Sequence, residues 1–585
     1  MSKTRCVSCG VAGGVLLAIG IALLVASLVI QFSTLPANIK DTLNTEKVLK
    51  RNPDGSMNSF TRSWVNPKYV SYAQFWVYDY QNVGGILNRA ALPDADEKGP
   101  YTYKIVMANE VAGFNNDSTQ VDYVHRQTYL FDKEMSCKGC DPYKDTVNTP
   151  DIVFQFFTAM IPPLSGLKDT LCPLLEQLGQ NCEQVFAQLD ALYPSLGVIP
   201  TLFNAGPFAK VTVDQLLFSG YASPLAKSIE DMHGILDGFI ETLHLDEGDD
   251  HLYDLKFYID MFLPQITEAL NIKVNYMRTN ATVDVVYTAE TGKSEPERAG
   301  YILSFSNTTE DGPSSDGNLL PEEWWPYNAT ESDWEGCDEE NARKARLIAG
   351  TTGEFFMSQI TKKDQIPLYV SDICRSVKLS YVEDVTVKGV DGMRFAIPES
   401  VFDANVAENC GFCKKTSRDI YDIPMGSNCL PTGLIDLSGC QKMGELTLPI
   451  VASQPHFYQA DKRAAAFYPR TKPSASDAMT IDIEPTTGTL LQAKKRIQVN
   501  LWIGQKPSDF IKAYSVMRSG AYPLFYVNES SVIDETSKKE LQDSLAPATT
   551  ISLICWIALG VGAALIVASL VFFYCAFCVS SKKYD

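Results

Sequence analysis

Two residue types in this sequence carry spacings that imply chemistry: cysteines, and histidines set among acids. Cys137-Lys-Gly-Cys140 has the spacing of a dithiol redox pair. No strand–helix–strand pattern surrounds it, so a structural bridge is the expectation rather than an oxidoreductase site. His233, His244 and His251 flank or neighbour the acidic run Asp246-Glu-Gly-Asp-Asp250. Acidic neighbours raise a histidine pKa, so these three are candidate switches for endosomal pH. A metal site is conceivable from the same residue types, and a solvated acidic connector is the plainer reading. There is no His-Glu-x-x-His, no Gly-x-Ser-x-Gly and no Walker A motif, and the chain has only 5 histidines. An enzyme is therefore not expected, nor a cofactor or resident metal; a carboxylate-only ectoenzyme is the one enzymatic alternative.

The elements that must position these residues begin and end in a membrane. From Val7 to Ile39, and again from Ile551 to Val579, no residue is charged. Each stretch exceeds the ~20 apolar residues that cross ~30 Å of hydrocarbon as a helix. Expected spans are 10–32 and 551–578, with tails 1–9 and 579–585. Lys3 and Arg5 precede the first span, and Lys582 and Lys583 follow the second. Both termini are expected in the cytosol, leaving 33–550 outside it. The first apolar stretch is longer than a signal-peptide core and lacks a clear small-x-small cleavage site, which favours an uncleaved anchor over a cleaved leader. Gly10, Gly14, Ala18, Ala22 and Ala26 recur every fourth position, as do Gly560, Ala564 and Ala568. Such stripes suit close helix pairing, within the chain or between copies.

Composition narrows the partners. The net charge is -20, which argues against nucleic acid. Charged residues are 21% and hydrophobic ones 45%, so the chain can bury a core. The 15 cysteines divide by place. Cys6, Cys9, Cys575 and Cys578 lie at the cytosolic membrane edge and are palmitoylation candidates. Ten lie between the spans, an even number that suggests disulfides. The sequons at Asn116, Asn280, Asn307, Asn328 and Asn528 fall in the same region, as expected for an exported glycoprotein.

Periodicity organises the ectodomain. Residues 60 to 135 read as strands and turns, with Gln74–Asp79 and Tyr101–Val106 as strands and Lys98-Gly-Pro100 as a turn. Residues 150 to 270 read as helices, with apolar faces such as Ile229, Met232, Leu236, Phe239 and Leu243. An unbroken helix would hold Cys172 and Cys182 ~15 Å apart, too far to bond. Either the helix breaks or each cysteine has another partner. Residues 272–310 and 375–530 return to strands, including a hairpin that turns at Pro485-Thr-Thr-Gly488. The expected fold class is α+β: a large antiparallel β-barrel core, a membrane-distal helical bundle, and one transmembrane helix at each end.

Gly99-Pro-Tyr-Thr-Tyr-Lys104, Ser371-Asp-Ile-Cys-Arg-Ser376, Cys410-Gly-Phe-Cys413, Asp482-Ile-Glu-Pro-Thr-Thr-Gly488 and Gln498-Val-Asn-Leu501, in this order between two spans, resemble the class B scavenger receptor family. That family includes the fatty-acid translocase, the high-density-lipoprotein receptor and the lysosomal integral membrane protein. The resemblance implies disulfides Cys374–Cys440, Cys337–Cys410 and Cys413–Cys429. The close pair here is one residue longer than in those relatives. Cys137–Cys140 and Cys172–Cys182 are then the expected additional bonds. It also implies a hydrophobic tunnel through the barrel and partners among fatty acids, cholesterol, phospholipids, lipoprotein-like particles or a protein docked at the apex. Candidate wall residues at the apex are Val153, Phe154, Phe156, Phe157 and Met160, then Phe203, Phe208, Leu216, Leu217 and Phe218; for any single one, ordinary core packing is the plainer reading.

The functional expectation is a receptor that binds lipid at the apex and passes it down the tunnel to a membrane, most simply the plasma membrane. Between Asp151 and Val211 the only lysines are Lys168 and Lys210, so neutral lipids or a basic protein suit this apex better than polyanions. One rival is an endosomal or lysosomal trafficking receptor for a lumenal protein. The tail Val579–Asp585 carries no acidic dileucine signal, and its Lys-Lys-x-x ending resembles a dilysine retrieval signal. A more remote rival is a two-span ligand-gated channel, disfavoured because neither span is charged.

Overall fold

The computed structural model describes residues 2–152, 154–155, 172, 182–183, 206–224, 285–307, 314–326, 337–413, 429–443, 446–466, 472–503 and 517–581. Its strands are β1 (Val70–Tyr80), β2 (Ala95–Phe114), β3 (Gln120–Phe131), β4 (Thr146–Pro150), β5 (Phe208–Thr212), β6 (Val285–Glu290), β7 (Ile302–Asn307), β8 (Ile366–Val370), β9 (Arg375–Val387), β10 (Val390–Ala396), β11 (Ile435–Asp436), β12 (Lys442–Met443), β13 (Leu446–Thr447), β14 (Ile450–Ser453), β15 (Thr480–Glu484), β16 (Thr489–Ile503) and β17 (Gly520–Val532). Every strand pairing within the sheets is antiparallel. The main sheet has 13 strands, running β7-β6-β3-β2-β1-β17-β16-β15-β10-β9-β8, with β14 and β11 branching from β16.

Its two edges, β7 and β8, are joined by one short segment. Ile302 donates its N–H to the carbonyl of Gly350 at 3.0 Å, and Tyr369 donates to the carbonyl of Thr351 at 2.9 Å. The Phe305 and Tyr369 rings stack across the same joint with centroids 6.2 Å apart. The sheet is thus a nearly closed barrel, which removes the exposed edges that invite aggregation. The ends of the 151–207 segment return to one place, because β4 pairs with β5 from Thr146↔Thr212 to Pro150↔Phe208.

One expected turn is a strand instead. Lys98, Gly99 and Pro100 lie inside β2, at a bulge where the register to β1 shifts between Phe75 and Val77. Gly99 has φ +149 and its peptide to Pro100 is cis. A Cβ at Gly99 would meet the Phe75 carbonyl oxygen at 2.5 Å, so the crowded bulge requires glycine. Proline, lacking an N–H, costs no ladder bond at a bulge.

The chain enters and leaves the barrel on long helices. Helical residues run from Ser2 through a π-turn at Ile30–Thr34 to Glu46, and from Glu535 to Ser581. Both contain stretches long and apolar enough to cross a membrane. The two helices pair within the chain. Gly13, Gly20 and Ser27 are buried on one, and Cys555, Gly562 and Ser569 on the other. A Cβ on Gly20 would meet the Gly562 carbonyl oxygen at 2.8 Å, and one on Gly562 the Gly20 carbonyl oxygen at 2.9 Å. This seam repeats every seven residues, as left-handed helix pairs do. The fourfold stripe read from the sequence faces elsewhere: a Cβ on Gly10, Gly14 or Gly560 would meet nothing within 4 Å. A period of four drifts around a straight helix, so those glycines leave the contact face.

The helices continue beyond their apolar stretches and dock on the barrel rim. Gln359 donates to the Pro36 carbonyl at 2.6 Å, and the fully buried Leu49 donates its N–H to the Thr291 carbonyl. Lys47 donates to the carbonyls of Thr487 and Phe356. Leu541 is buried against Val390, Leu491 and Ile533.

The barrel joint is testable by two glycines with similar backbones. Gly350 has φ +90 and Gly353 φ +100, but only at Gly350 would a Cβ clash, 2.1 Å from the Pro367 carbonyl oxygen. Gly353→Ala is expected to cost about 1 kcal/mol through backbone strain. Gly350→Ala should cost an additional ~1–3 kcal/mol or more through overpacking. Melting curves of the two purified variants will show the larger drop for Gly350→Ala.

Candidate functional site: the interior of the barrel

Alternation along each strand sorts side chains between the barrel interior and its outer surface. On β2, Tyr103, Ile105, Met107, Asn109 and Val111 point inward while Lys104, Val106 and Glu110 are exposed. Beside them along the sheet are Phe75 and Ala73 of β1, Tyr123 and Tyr129 of β3, Phe525 and Val527 of β17, and Ile497 and Val499 of β16. Leu379, Phe395 and Phe305 from the opposite wall belong to the same apolar cluster. The cluster has a partly buried fringe. Met107, Val111, Tyr129, Phe131, Phe218, Phe355, Met357, Tyr381, Met393, Ala493 and Val499 all border it but retain accessible surface. Core side chains in a filled interior would lose nearly all of theirs.

Within this apolar wall lie a few polar groups. Lys495 on β16 ion-pairs with Glu529 of β17 and with Asp372, whose carboxylate is 2.8 Å away. Asp372 sits at the β8–β9 turn, which the sheet order separates from β16 by β15 and β10. Tyr129 donates to Glu529 at 3.2 Å and to Gln127 at 2.9 Å. Burial opposes the Lys495 charge, but Asp372 and Glu529 outweigh it and hold the ammonium well above its usual range. Lys495 thus stays charged at any physiological pH. A second group joins Glu354, which accepts from Trp64 Nε1 at 2.6 Å and from Asn109 Nδ2 at 3.1 Å, to His125, whose Nδ1 is 2.7 Å from Asn109 Oδ1. The Tyr103 hydroxyl is buried with no hydrogen-bond partner among the described residues, and its ring lies 4.9 Å from that of Phe218.

Comparison with known proteins bears on what such an interior is for. The sequence matches the CD36 family over residues 18–573. The chain belongs to the CD36 family. Among its relatives, an uncharacterized protein of Caenorhabditis elegans is 40% identical, covering 99% of this chain and 98% of its own. Lysosome membrane protein 2 of Homo sapiens is 27% identical over 93% of this chain and 91% of its own. Sensory neuron membrane protein 2 of Aedes aegypti is 23% identical over 82% and 85%. These are class B scavenger receptor members, so the family resemblance read from the sequence holds, and with it the assignment as a membrane receptor with a helix at each terminus.

The structure distributes the residues singled out from sequence. Its five disulfides are Cys137–Cys140, Cys172–Cys182, Cys337–Cys410, Cys374–Cys440 and Cys413–Cys429. The Cα atoms of Cys172 and Cys182 are 5.2 Å apart, within the reach that an unbroken helix would exceed. Of the candidate wall residues, Phe154, Leu216 and Leu217 are buried in the main core. Phe208 packs against Tyr80 beside a second apolar cluster. Phe218 alone among the described candidates borders the interior with surface to spare, between Phe75, Tyr103 and Tyr129. Val153, Phe156, Phe157, Met160 and Phe203 lie outside the described residues, as do His233, His244, His251, Asn280 and Asn328. Asn116 is exposed in the β2–β3 turn; Asn307 ends β7; Asn528 is half-buried on β17, its Nδ2 3.3 Å from Gln74 Oε1. Among the membrane-edge cysteines, Cys9 and Cys575 carry free thiols.

Sequence reasoning missed His456, a lone histidine with no acidic neighbour nearby in the chain. Its Nε2 is 3.2 Å from Glu97 and its Nδ1 3.0 Å from Asp477. Its ring lies edge-on to Tyr526, and its backbone N–H donates to Gln498 at 2.8 Å. Burial alone would lower the imidazole pKa, but hydrogen bonds and charges from Asp477 and Glu97 push it up to about 9. A raised histidine pKa stabilises the fold fully below its unfolded value of 6.5, and that stabilisation is lost as the pH rises towards 9. The melting temperature of His456→Gln should therefore fall furthest below wild type under pH 6.5, by a difference on the order of 1–3 kcal/mol, and converge with it above about pH 9.

Proposed function

We propose that this chain is a membrane receptor that takes up lipid and lets it travel through the barrel interior to the bilayer. The observation that carries this reading is the apolar interior wall that stays accessible along Met107, Phe218, Ala493 and Val499. An apolar chain in water costs ~0.8 kcal/mol per CH₂, or on the order of 10 kcal/mol for a sixteen-carbon tail. A dry passage removes most of that cost along the route, and downhill transfer then requires no energy source. The rods docked on the rim support delivery to the membrane, because they hold one end of the barrel over the point where the chain enters the bilayer. The sparse polar groups favour ligands with a long apolar part and a small head, such as fatty acids or sterols, over polar solutes.

The relationship to lysosome membrane protein 2 supports a second reading of location, an endosomal or lysosomal membrane in place of the plasma membrane. There the lumenal domain would serve as a receptor for a protein. Imaging the chain without a C-terminal tag, so that Lys582 and Lys583 keep their place near the terminus, separates the two compartments.

The transfer reading has a direct test. Ala493 faces the interior and Val106 the outside. Ala493→Trp should reduce uptake of labelled fatty acid and cholesterol by at least about tenfold in expressing cells, a loss matching one obstructed apolar step. Val106→Trp should leave uptake unchanged at equal surface expression. Equal uptake by both variants contradicts passage through the interior.

A further inference from the structure

Two half-buried cations of this barrel meet carboxylates. Arg394 forks onto Asp482 with bonds of 2.8 and 3.0 Å, and Lys495 has Asp372 and Glu529. Arg375 departs from this pattern. It opens β9 directly after Cys374 and is only 4% exposed. Its side chain lies on the inward side of β9, in the alternation that continues through the buried Val377 and Leu379. Its backbone pairs with Val370 of β8. Nη2 donates to Asn409 Oδ1 at 3.1 Å, and the guanidinium lies 3.5 Å from the Phe412 ring centroid. Nε has no hydrogen-bond partner, and no carboxylate lies within ion-pair reach among the described residues. The acid three positions earlier, Asp372, is committed to Lys495.

A ring face and one amide do not replace a counter-charge. A guanidinium has five donors in a planar fork that matches two oxygens of a carboxylate or phosphate. Burial draws its pKa down to about 9, so it remains charged at neutral and at acidic pH. The side chain is held from several sides. The Cys374–Cys440 bridge fixes the adjoining residue, and Trp325 donates to the Cys374 carbonyl at 3.0 Å. Trp325 also packs edge-on against Phe412, with centroids 4.9 Å apart. Cys410, in the turn that carries Asn409 and Phe412, is tied to Cys337. The result is an arginine of fixed position whose Nε donor is unmet and whose charge faces no carboxylate among the described residues.

We propose that Arg375 is a seat for an oxyanion, the carboxylate or phosphate oxygens of an amphiphile's head group. The bound anion supplies the missing counter-charge and accepts from the guanidinium fork, while Phe412 and Asn409 hold the fork in plane. The seat gives the passage a preference for anionic over neutral amphiphiles. It deepens the lipid reading above and relies on it only for the source of the anion.

The test uses the full chain in a non-ionic detergent, with four probes: sodium decanoate, decyl phosphate, decanol and inorganic sulfate. Calorimetric binding should favour decanoate and decyl phosphate over decanol by about tenfold or more, the discrimination expected of charge-assisted bonds. Arg375→Gln should abolish that preference while leaving decanol binding unchanged. Arg375→Lys should retain only part of it, with the greater loss for decyl phosphate, because an ammonium lacks the fork. If the glutamine variant does not fold, the lysine variant decides: an unaltered preference overturns the seat. An unaltered preference in Arg375→Gln also overturns it. Sulfate raising the melting temperature of wild type but not of Arg375→Gln, with no amphiphile bound, supports the seat with a free anion as occupant and removes the lipid reading. Equal binding of all three amphiphiles in wild type does the reverse.

Discussion

Wrapping a long antiparallel sheet round on itself leaves one seam, and here the seam is a pair of backbone hydrogen bonds through Gly350 and Thr351. The strands on either side, β7 and β8, are short and far apart in sequence. Neither offers the other a continuous ladder, so the connecting segment supplies the carbonyls that both edges require. Gly350 can do this only because it lacks a side chain where Pro367 passes close. Everything inside the barrel depends on that closure. Without it the aromatic wall of Tyr123, Tyr287, Phe305 and Tyr369 would face water along an open cleft.

The interior combines two environments that compete for stability. Its apolar cluster favours dryness, yet Lys495, Glu529, Asp372, Arg375 and the His125–Glu354 group place charge or strong polarity around its walls. Ion pairs in such surroundings contribute little net stability, since desolvation offsets most of the attraction. The His456 cluster is different: from the loop after β14 it meets Glu97 of β2, Asp477 before β15 and Gln498 of β16, so it ties separate segments of the fold together.

Much of this architecture is legible in the sequence, because its signals are local. The apolar runs at both ends, the alternation in β1, β2, β15 and β16, and the cysteine spacings all act over a few residues. What stays hidden depends on contacts across hundreds of positions. The Gly99-Pro100 bulge reads as a turn because its composition is that of a turn, and only pairing with β1 makes it strand. The small-residue stripe is visible, but which stripe meets the partner helix depends on the seven-residue repeat of a paired seam. Phe154, Leu216 and Leu217 share an apolar character with Phe218, and no periodicity distinguishes the one that stays only partly buried. His456 carries no local mark, and Arg375, though it lies within the Ser371–Ser376 motif, carries no sign of its burial; their surroundings are assembled by the fold.

The helical rods extend past their apolar stretches without a break and end in side-chain contacts with the rim. The turns between Glu535 and Ile551 alone set a rise on the order of 20 Å. Two such props, joined to each other along their apolar stretches and to the barrel rim beyond them, set the spacing between the barrel and those stretches. A change in the thickness of the layer that the apolar stretches cross would be felt at the rim as a push.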